Sequence, residues 1–470
     1  MKHTFSGGIV IPPAKENKAL TAALPIEEWE PDRLRIPLRQ SPGPALLPAV
    51  QPGDKVKIGQ RVGHPAGDSG VPVHCGVSGT VTAVEEGSGP FGPGPVVFIE
   101  NDHQRAEAPL LPAAEGRQGL RMLMREAGLI GMGGAGFPTY RKYDTDRGIR
   151  TLLINGGECE PYLTCDDRLM VFEARKVVTG ALAMARAVAA PGGGAPQLLF
   201  CVEKDKAQAV TRLQEALRGD PKASRARVIV LPHRYPQGGE RQLIQAVLGW
   251  ELGAGVLPAQ AGVLVSNVAT AAAMADALQG HPLTHRIVTV SGKVGRPGNY
   301  RVPVGTLLAD LLAHAGGALP ESERDVLVSG GPMTGRLIQR GPSGPAGEEV
   351  VLKTTGGLLA LARENGIPVA EGPFSMVELM NADEVIVTSS SALCIPVDAV
   401  ERGNTVTVPG PGALSEDGLS VVDVTKLETK EVTLGRNDDE YIEVTDGLEE
   451  GDVVLISNQA SSLMDMMMGG

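Results

Sequence analysis

Aromatic residues make up only 3% of this 470-residue chain, which leaves little for stacking bases in a nucleic-acid groove. Positive charge is also short. Lys and Arg number 43 against 55 Asp and Glu, a formal net charge of −12. That balance opposes a phosphate-backbone partner, so no nucleic acid is expected, and it suits a soluble acidic protein. No run of 18 apolar residues occurs, so the chain is expected to carry no transmembrane segment of its own. The N-terminal MKHTFSGGIVIPP lacks the long apolar stretch of a signal peptide. Five cysteines, Cys75, Cys159, Cys165, Cys201 and Cys394, form neither a CxxC pair nor an even set, which points to free thiols in a reducing compartment. Eight histidines lack ligand spacing, and no Ser-His-Asp or Cys-His set stands out, so no catalytic side chain and no metal site is expected.

Glycine and proline are plentiful, 61 and 36 residues, and the length predicts two to four domains. Residues 1–112 read as short strands joined by glycine turns, the pattern of a lipoyl-like β-sandwich. Such domains carry their cofactor on a hairpin lysine. The corresponding stretch, Val73-His74-Cys75-Gly76-Val77-Ser78, has none, so covalent lipoylation or biotinylation is not expected. Residues 113–283 alternate strands with helices and predict an α/β domain. Leu120, Leu123, Met124 and Ala127 share one helix face. TLLIN, QLLFCVE, ARVIVL and GVLVSN read as strands, and a long helix is expected over about 167–189. Residues 284–362 suggest a β-grasp module, with a hairpin in HRIVTVSGKV and GNYRVPVG, a helix capped by Thr306, and a loop-like course after Pro342. Residues 363–470 read as a divergent, mostly β region with a flexible SSLMDMMMGG end. The fold class expected is therefore multidomain α/β.

Two stretches carry chemistry. In GLIGMGGAGFPTYRKY, Gly131-x-Gly133-x-x-Gly136 matches the dinucleotide fingerprint, but a helix precedes it where a strand is required, so the Rossmann reading fails. A backbone without Cβ atoms can still turn its N–H groups toward an anion or a flat ring, and Lys142 can serve a phosphate. A tight structural turn is the plain alternative. In INGGECEPYLTCDDRLM, the residues Asn155, Glu158, Glu160, Asp166 and Asp167 crowd the carboxyl end of a strand, where α/β sheets bind ligands. Asp166 and Asp167 also suit the first turn of the following helix, which favours carboxylates.

These two stretches resemble the C subunit of Rnf electron-transport complexes, and more distantly the flavoprotein subunit of respiratory complex I. RYPQGGERQLIQAVLG, VLVSNVATAAAM, VTVSGKVGRPGNYRVPVGT, VLVSGGPMTG, GGIVIPP and PVHCGVSGTV also match, and together they cover about residues 5–362. The resemblance implies non-covalent FMN, NADH as electron donor, a β-grasp module of the SLBB kind and partner subunits in a membrane electron-transport complex. It implies a cytoplasmic chain, with a peripheral position on the inner face of the cell membrane as the variant of that expectation. It lays the loop Gly131, Gly133, Gly134 and Gly136 against the flavin, with Lys142 on the phosphate side. It places Asn155 and Glu158 at flavin positions, Phe137 and Glu160 nearer the nicotinamide, and Asn267 and Thr270 in a second flavin-binding turn, with Glu240 after Gly238-Gly239 as a further candidate. Helix capping is the plain alternative for Asn267 and Thr270. Gly157 stands where the complex I flavoprotein has an acidic residue.

The pattern then departs. The family continues into two ferredoxin-like cysteine runs, whereas here Cys394 is the only cysteine after residue 201, and one thiolate cannot hold a cubane. No iron–sulfur cluster is expected. NADEVIVTSSSALCIPVDAV resembles a fragment of PLP-dependent aminotransferases, too short to imply PLP, and VTLGRNDDEYIEVTDGLEEGDVVLISN resembles the β-domain of efflux adaptor proteins. Two functions follow: an NADH-oxidising, FMN-binding electron-transfer subunit lacking the iron–sulfur relay, or a non-catalytic scaffold that retains the same modules.

Overall fold

Along the strand Thr151–Gly156 (β1), Leu152 and Ile154 enter one hydrophobic cluster while Leu153 enters another. Alternate side chains of a strand face opposite ways, so a strand this apolar must be covered on both sides. β1 lies inside a four-stranded parallel sheet with β2 (Gln197–Glu203), β3 (Ala226–Leu231) and β4 (Val263–Asn267), in the order β3-β2-β1-β4. One face carries α1 (Gly116–Glu126), α3 (Cys165–Phe172), α4 (Ala174–Ala187), α5 (Ala207–Arg218) and α7 (Val268–Leu278). The other carries α6 (Glu240–Leu248) through Leu243 and Ile244, together with Phe5 from the N-terminal segment. A short helix α2 (Thr139–Tyr143) follows the glycine loop.

The computed structural model describes residues 4–5, 7–41, 43–67, 70–134, 136–145, 147–189, 194–253, 255–318, 326–338, 348–361, 393–396, 400–401, 404–411, 413, 424–437, 441–448 and 454. The chain divides into two compact units, Met1–Leu252 with Leu257–Asn381, and Gly253–Val256 with Ala382–Gly470.

In the larger unit, residues 33–101 form a barrel sandwich. Strands Arg33–Pro37, Gly92–Asn101, Gly79–Gly89 and Lys55–Val56 make one sheet, and Leu47–Pro48, Arg61–His64 and Val73–His74 the other. Leu34, Ile36, Val62, Val73 and Val97 pack between them. After the α/β core comes a six-stranded sheet. Its order is Ile26–Glu28, β6 (Gly298–Pro303), β5 (His285–Gly292), β9 (Gly357–Leu361), β7 (Val326–Ser329) and β8 (Arg336–Ile338), with α8 (Leu308–His314) against it. In the smaller unit, Thr405–Pro409 pairs with Val400–Glu401 and Leu427–Glu431, and Tyr441–Asp446 with Leu393–Pro396 and Thr433–Asn437, around Val406, Val408, Val432 and Val444. The SSLMDMMMGG end and most of the aminotransferase-like fragment lie outside the described residues.

Several local expectations are corrected. The 167–189 helix is two helices, because Glu173 leaves helical geometry (φ −127°, ψ 33°) and turns its carboxylate to Arg301 of β6 and to Lys176. Thr306 does not cap α8: its hydroxyl donates to the Pro303 carbonyl (2.7 Å), and Leu307 occupies the cap position without a side-chain bond. The course after Pro342 is not only loop, since β9 inserts between β5 and β7, all of its residues being buried and apolar or glycine. Among the described residues no helix is long and apolar enough to cross a membrane.

Candidate functional site

From β1 the chain steps to β2 and then β3 on one side, and returns to β4 on the other, so β1 and β4 flank a topological switch point. Sheets of this kind leave a crevice outside the carboxyl ends of the two diverging strands. Here those ends carry two asparagines in register, Asn155 of β1 opposite Asn267 of β4. The Asn155 amide donates to the Gly238 carbonyl (2.8 Å), and its oxygen accepts from Gly157 N–H (3.0 Å). Asn267 caps α7 by accepting from Ala269 N–H (2.7 Å), and its amide donates to the Asp166 carboxylate (2.6 Å). The plain alternative for Asn267, helix capping, is therefore real, and its amide N–H is engaged by Asp166 at the same time.

The glycine loop closes on itself. Ile130 and Pro138 form a bridge, and Gly131 N–H donates to the Phe137 carbonyl (2.8 Å). Thr270, in the first turn of α7, fastens the loop by donating to the Ile130 carbonyl and accepting from Met132 N–H, both at 3.1 Å. A Cβ on Gly133 would sit 3.1 Å from the Asn267 amide nitrogen, whereas one on Gly134 would meet nothing within 4 Å. Of the four loop glycines only Gly136 has positive φ (+70°). Gly133 is bare for close approach to Asn267, not for handedness, while the backbone at Gly134 faces open space. Phe137 is half exposed at the rim.

The acidic residues divide in role. Asp166 and Asp167 lie in the first turn of α3, as expected, and Glu158 joins them: its carboxylate accepts from Asp166 N–H (2.9 Å) and Asp167 N–H (3.1 Å), capping α3 from the preceding loop. Burial, and then the nearby Asp166, push Glu158 up to about 7, and burial raises Asp166 as well. Asp167 pairs with Arg168 (2.7 Å). Glu160 is engaged by the neighbouring module and by Tyr235. It accepts from Tyr235 hydroxyl (3.2 Å), Met333 N–H (3.0 Å) and Thr334 hydroxyl (2.9 Å), locking the crevice loop to the six-stranded sheet, and burial holds its pKa above the usual carboxylate range despite these donors. Lys142 of α2 and Glu240 at the start of α6, 98 positions apart, form an ion pair (2.6 Å).

The structure thus gathers Gly133, Asn155, Asn267, Thr270 and Asp166, brings Lys142 to Glu240, and directs Glu160 toward the neighbouring module. Sequence reading missed Arg286 of β5, which donates to the carbonyls of Thr355 (3.1 Å) and Met132 (3.5 Å), and Gly238, whose backbone abuts Gly157. The paired glycines of RYPQGGE and SGGPMTG were the available signal for such close approaches. A cavity of about 240 Å³ extends from Met132 and Asp166 between α3 and α7 to Arg286 and Arg301. A larger one, about 480 Å³, lies over the outer face of α1 at Arg117, Arg121 and Tyr140, away from the strand ends. Cys75, Cys159, Cys165 and Cys201 are buried free thiols, and burial pushes Cys159 up to about 12, so none of these four is poised as a nucleophile.

Amide donors and acceptors at a switch point, beside a bare and open main-chain strip, suit a flat heteroaromatic ring carrying a phosphate, and FMN is such a group.

Comparison with known proteins follows the same division. Residues 124–276 match the family model of the Nuo51 FMN-binding domain, residues 3–104 that of the RnfC barrel sandwich hybrid domain, and residues 287–337 that of the SLBB domain. The chain is 37% identical over 377 residues to the C subunit of the Na(+)-translocating ferredoxin:NAD(+) oxidoreductase complex of Acetobacterium woodii, covering 78% of this chain and 81% of that one. It is 38% identical to the C subunit of the ion-translocating oxidoreductase complex of Pseudomonas aeruginosa, covering 71% of this chain but only 43% of that longer protein. An NAD+-reducing (NiFe)-hydrogenase structure in the air-oxidized state overlaps with a TM-score of 0.46 at 25% identity, covering 55% of this chain and 49% of that one. On the first of these relatives and the three domain matches, the chain belongs to the family of C subunits of Rnf-type ion-translocating oxidoreductase complexes.

Proposed function

We propose that this chain is an electron-transfer subunit that binds FMN non-covalently at the β1/β4 switch point, takes electrons from NADH, and works beside other subunits at the inner face of a membrane. The observation that carries the reading is the pair Asn155 and Asn267, in register at the strand ends, with Gly133 seated against Asn267. In this reading Asn155 and Asn267 orient the ring edge through their amides. Gly131, Gly133, Gly134 and Gly136 give it a surface without side chains, and Thr270 keeps that surface in place. Lys142 exchanges its bond with Glu240 for one to the phosphate, and Phe137 borders the nicotinamide side. Glu158 and Glu160 contribute by holding the loop over residues 157–163, Glu158 as the cap of α3 and Glu160 through Met333 and Thr334. Bound FMN supplies the hydride acceptance and electron release that no side chain here can provide.

The test is a titration of the purified full chain with FMN, followed by anaerobic addition of NADH. Binding at micromolar FMN and bleaching of the flavin absorbance are expected. Binding without bleaching removes NADH from the reading, and no binding leaves the scaffold role that the same modules also permit.

A further inference from the structure

Lys353 lies in the short strap between the bridge residue Val350 and β9, and it is 1% exposed. Its ammonium nitrogen donates to two main-chain carbonyls, Pro72 of the barrel sandwich and Gly128 at the end of α1, each at 2.8 Å. Its own N–H donates to the Gln40 side chain of the barrel (3.0 Å). Gly128 has φ +72°, and a Cβ there would lie 2.8 Å from the Lys353 nitrogen, so glycine is required for the contact. Burial alone lowers the amine to about 7, and both acceptors are neutral, so its placement has no ion-pair reward.

The same strap touches the glycine loop at its other end. A Cβ on Gly136 would meet Thr354 at 3.0 Å and Ser41 of the barrel at 3.4 Å. Arg286, which donates to the Thr355 carbonyl, reaches the Met132 carbonyl inside the loop. The approach to the loop at Gly128 and its middle at Met132 are bonded from outside the α/β domain, and its end at Gly136 abuts Thr354 and Ser41. On the opposite wall, buried Lys18 of the N-terminal segment donates to the carbonyls of Glu158 and Leu163 (3.1 Å to the latter), fixing the acidic loop in the same manner.

We propose that Lys353 is a positioning residue for cofactor binding: by tying Gly128 to the barrel sandwich it sets the loop over residues 131–137 against Asn267, so the cradle is complete only when all three modules are docked. This rests on the flavin reading above. Two measurements on the full chain separate it from that reading. Hydrogen exchange without cofactor, comparing the unmutated chain with Lys353→Met, is expected to show faster exchange at residues 128–137 and beside Pro72 and Lys353 themselves, with β2 unchanged. FMN titration is expected to show affinity weakened by about tenfold, because the loop over residues 131–137 then spends only about a tenth of its time in the binding geometry, together with an altered visible circular dichroism of the bound flavin. Lys353→Gln, shorter but still a donor, should fall between the two and serves if the methionine variant folds poorly. Uniformly faster exchange across the chain, or a local change with unaltered FMN affinity and flavin spectrum, overturns the inference. If the unmutated chain binds no FMN, the flavin reading fails, and unaltered exchange at 128–137 in the variant then overturns the anchoring as well.

Discussion

At the scale of single residues, glycines that look alike in sequence have different tasks. Gly136 needs its left-handed backbone, Gly133 needs to be small beside Asn267, and Gly134 needs neither in the chain without cofactor. Gly134→Val is therefore expected to fold with stability within about 0.5 kcal/mol of the parent. Its isopropyl group occupies the open side of the loop, so micromolar FMN binding should be lost. A thermal melt and a flavin titration on the same sample check both halves, and a large fall in melting temperature would contradict this account of Gly134. His233 supplies a pH test at the next strand end. Asp205, Glu16 and Glu203 surround its ring, and they raise it from 6.5 to about 11. Lys206 neutralises part of the same cluster through Glu203 and Asp205. A group whose pKa is raised on folding stabilises fully below its unfolded value, and loses that contribution as pH climbs through the folded one. The melting temperature should thus decline from about pH 6.5 toward 11, and His233→Asn should flatten the slope in that window while lowering stability near pH 6. A slope identical in the variant would show that His233 is not charged in the folded chain.

At the scale of elements, the pairing of α4 with α7 decides where the crevice lies, because α7 presents Asn267 and Thr270. The two helices cross at Gly180, where a Cβ would fall within the radius of the Ala271 carbonyl oxygen. Gly180→Ala is expected to cost about 1–3 kcal/mol or more, even though alanine favours helix, since the helices must part. Denaturant melts measure this; a variant as stable as the parent would mean that α7 can move freely. Periodicity foretold the strands and most helices here because their apolar residues repeat at the spacing of a covered face. It could not foretell the break at Glu173, which depends on Arg301, 128 residues away. Nor could it foretell that Glu158 also caps α3, because the loop over residues 157–164 folds back by contacts with Lys18, Tyr235 and the turn at Met333 and Thr334. Residue types that bind ligands were legible; which of them the fold spends on holding itself was not.

At the scale of the molecule, the module order was legible from turn and strand spacing, yet β9 was not. Its VLKTTGGLLAL context reads as a glycine-rich passage until β5 and β7 offer it two edges. That insertion brings Lys353 to the barrel, so the three modules of the larger unit share buried polar bonds across sequence separations of 225 and 281 positions. Bonds of this kind make a cofactor at one module's strand ends stabilise the others. Ligand that binds only the folded state at about a hundred times its dissociation constant adds about 2.7 kcal/mol. Calorimetry of the full chain with saturating FMN should therefore raise the transition of the larger unit as one cooperative event. The transition of the unit built on Val406, Val408, Val432 and Val444 should remain where it was. If instead FMN raises a transition that excludes the barrel sandwich, Lys353 does not couple the modules. If it raises the transition of the C-terminal unit, the flavin site extends into a region that the strand-end geometry does not include.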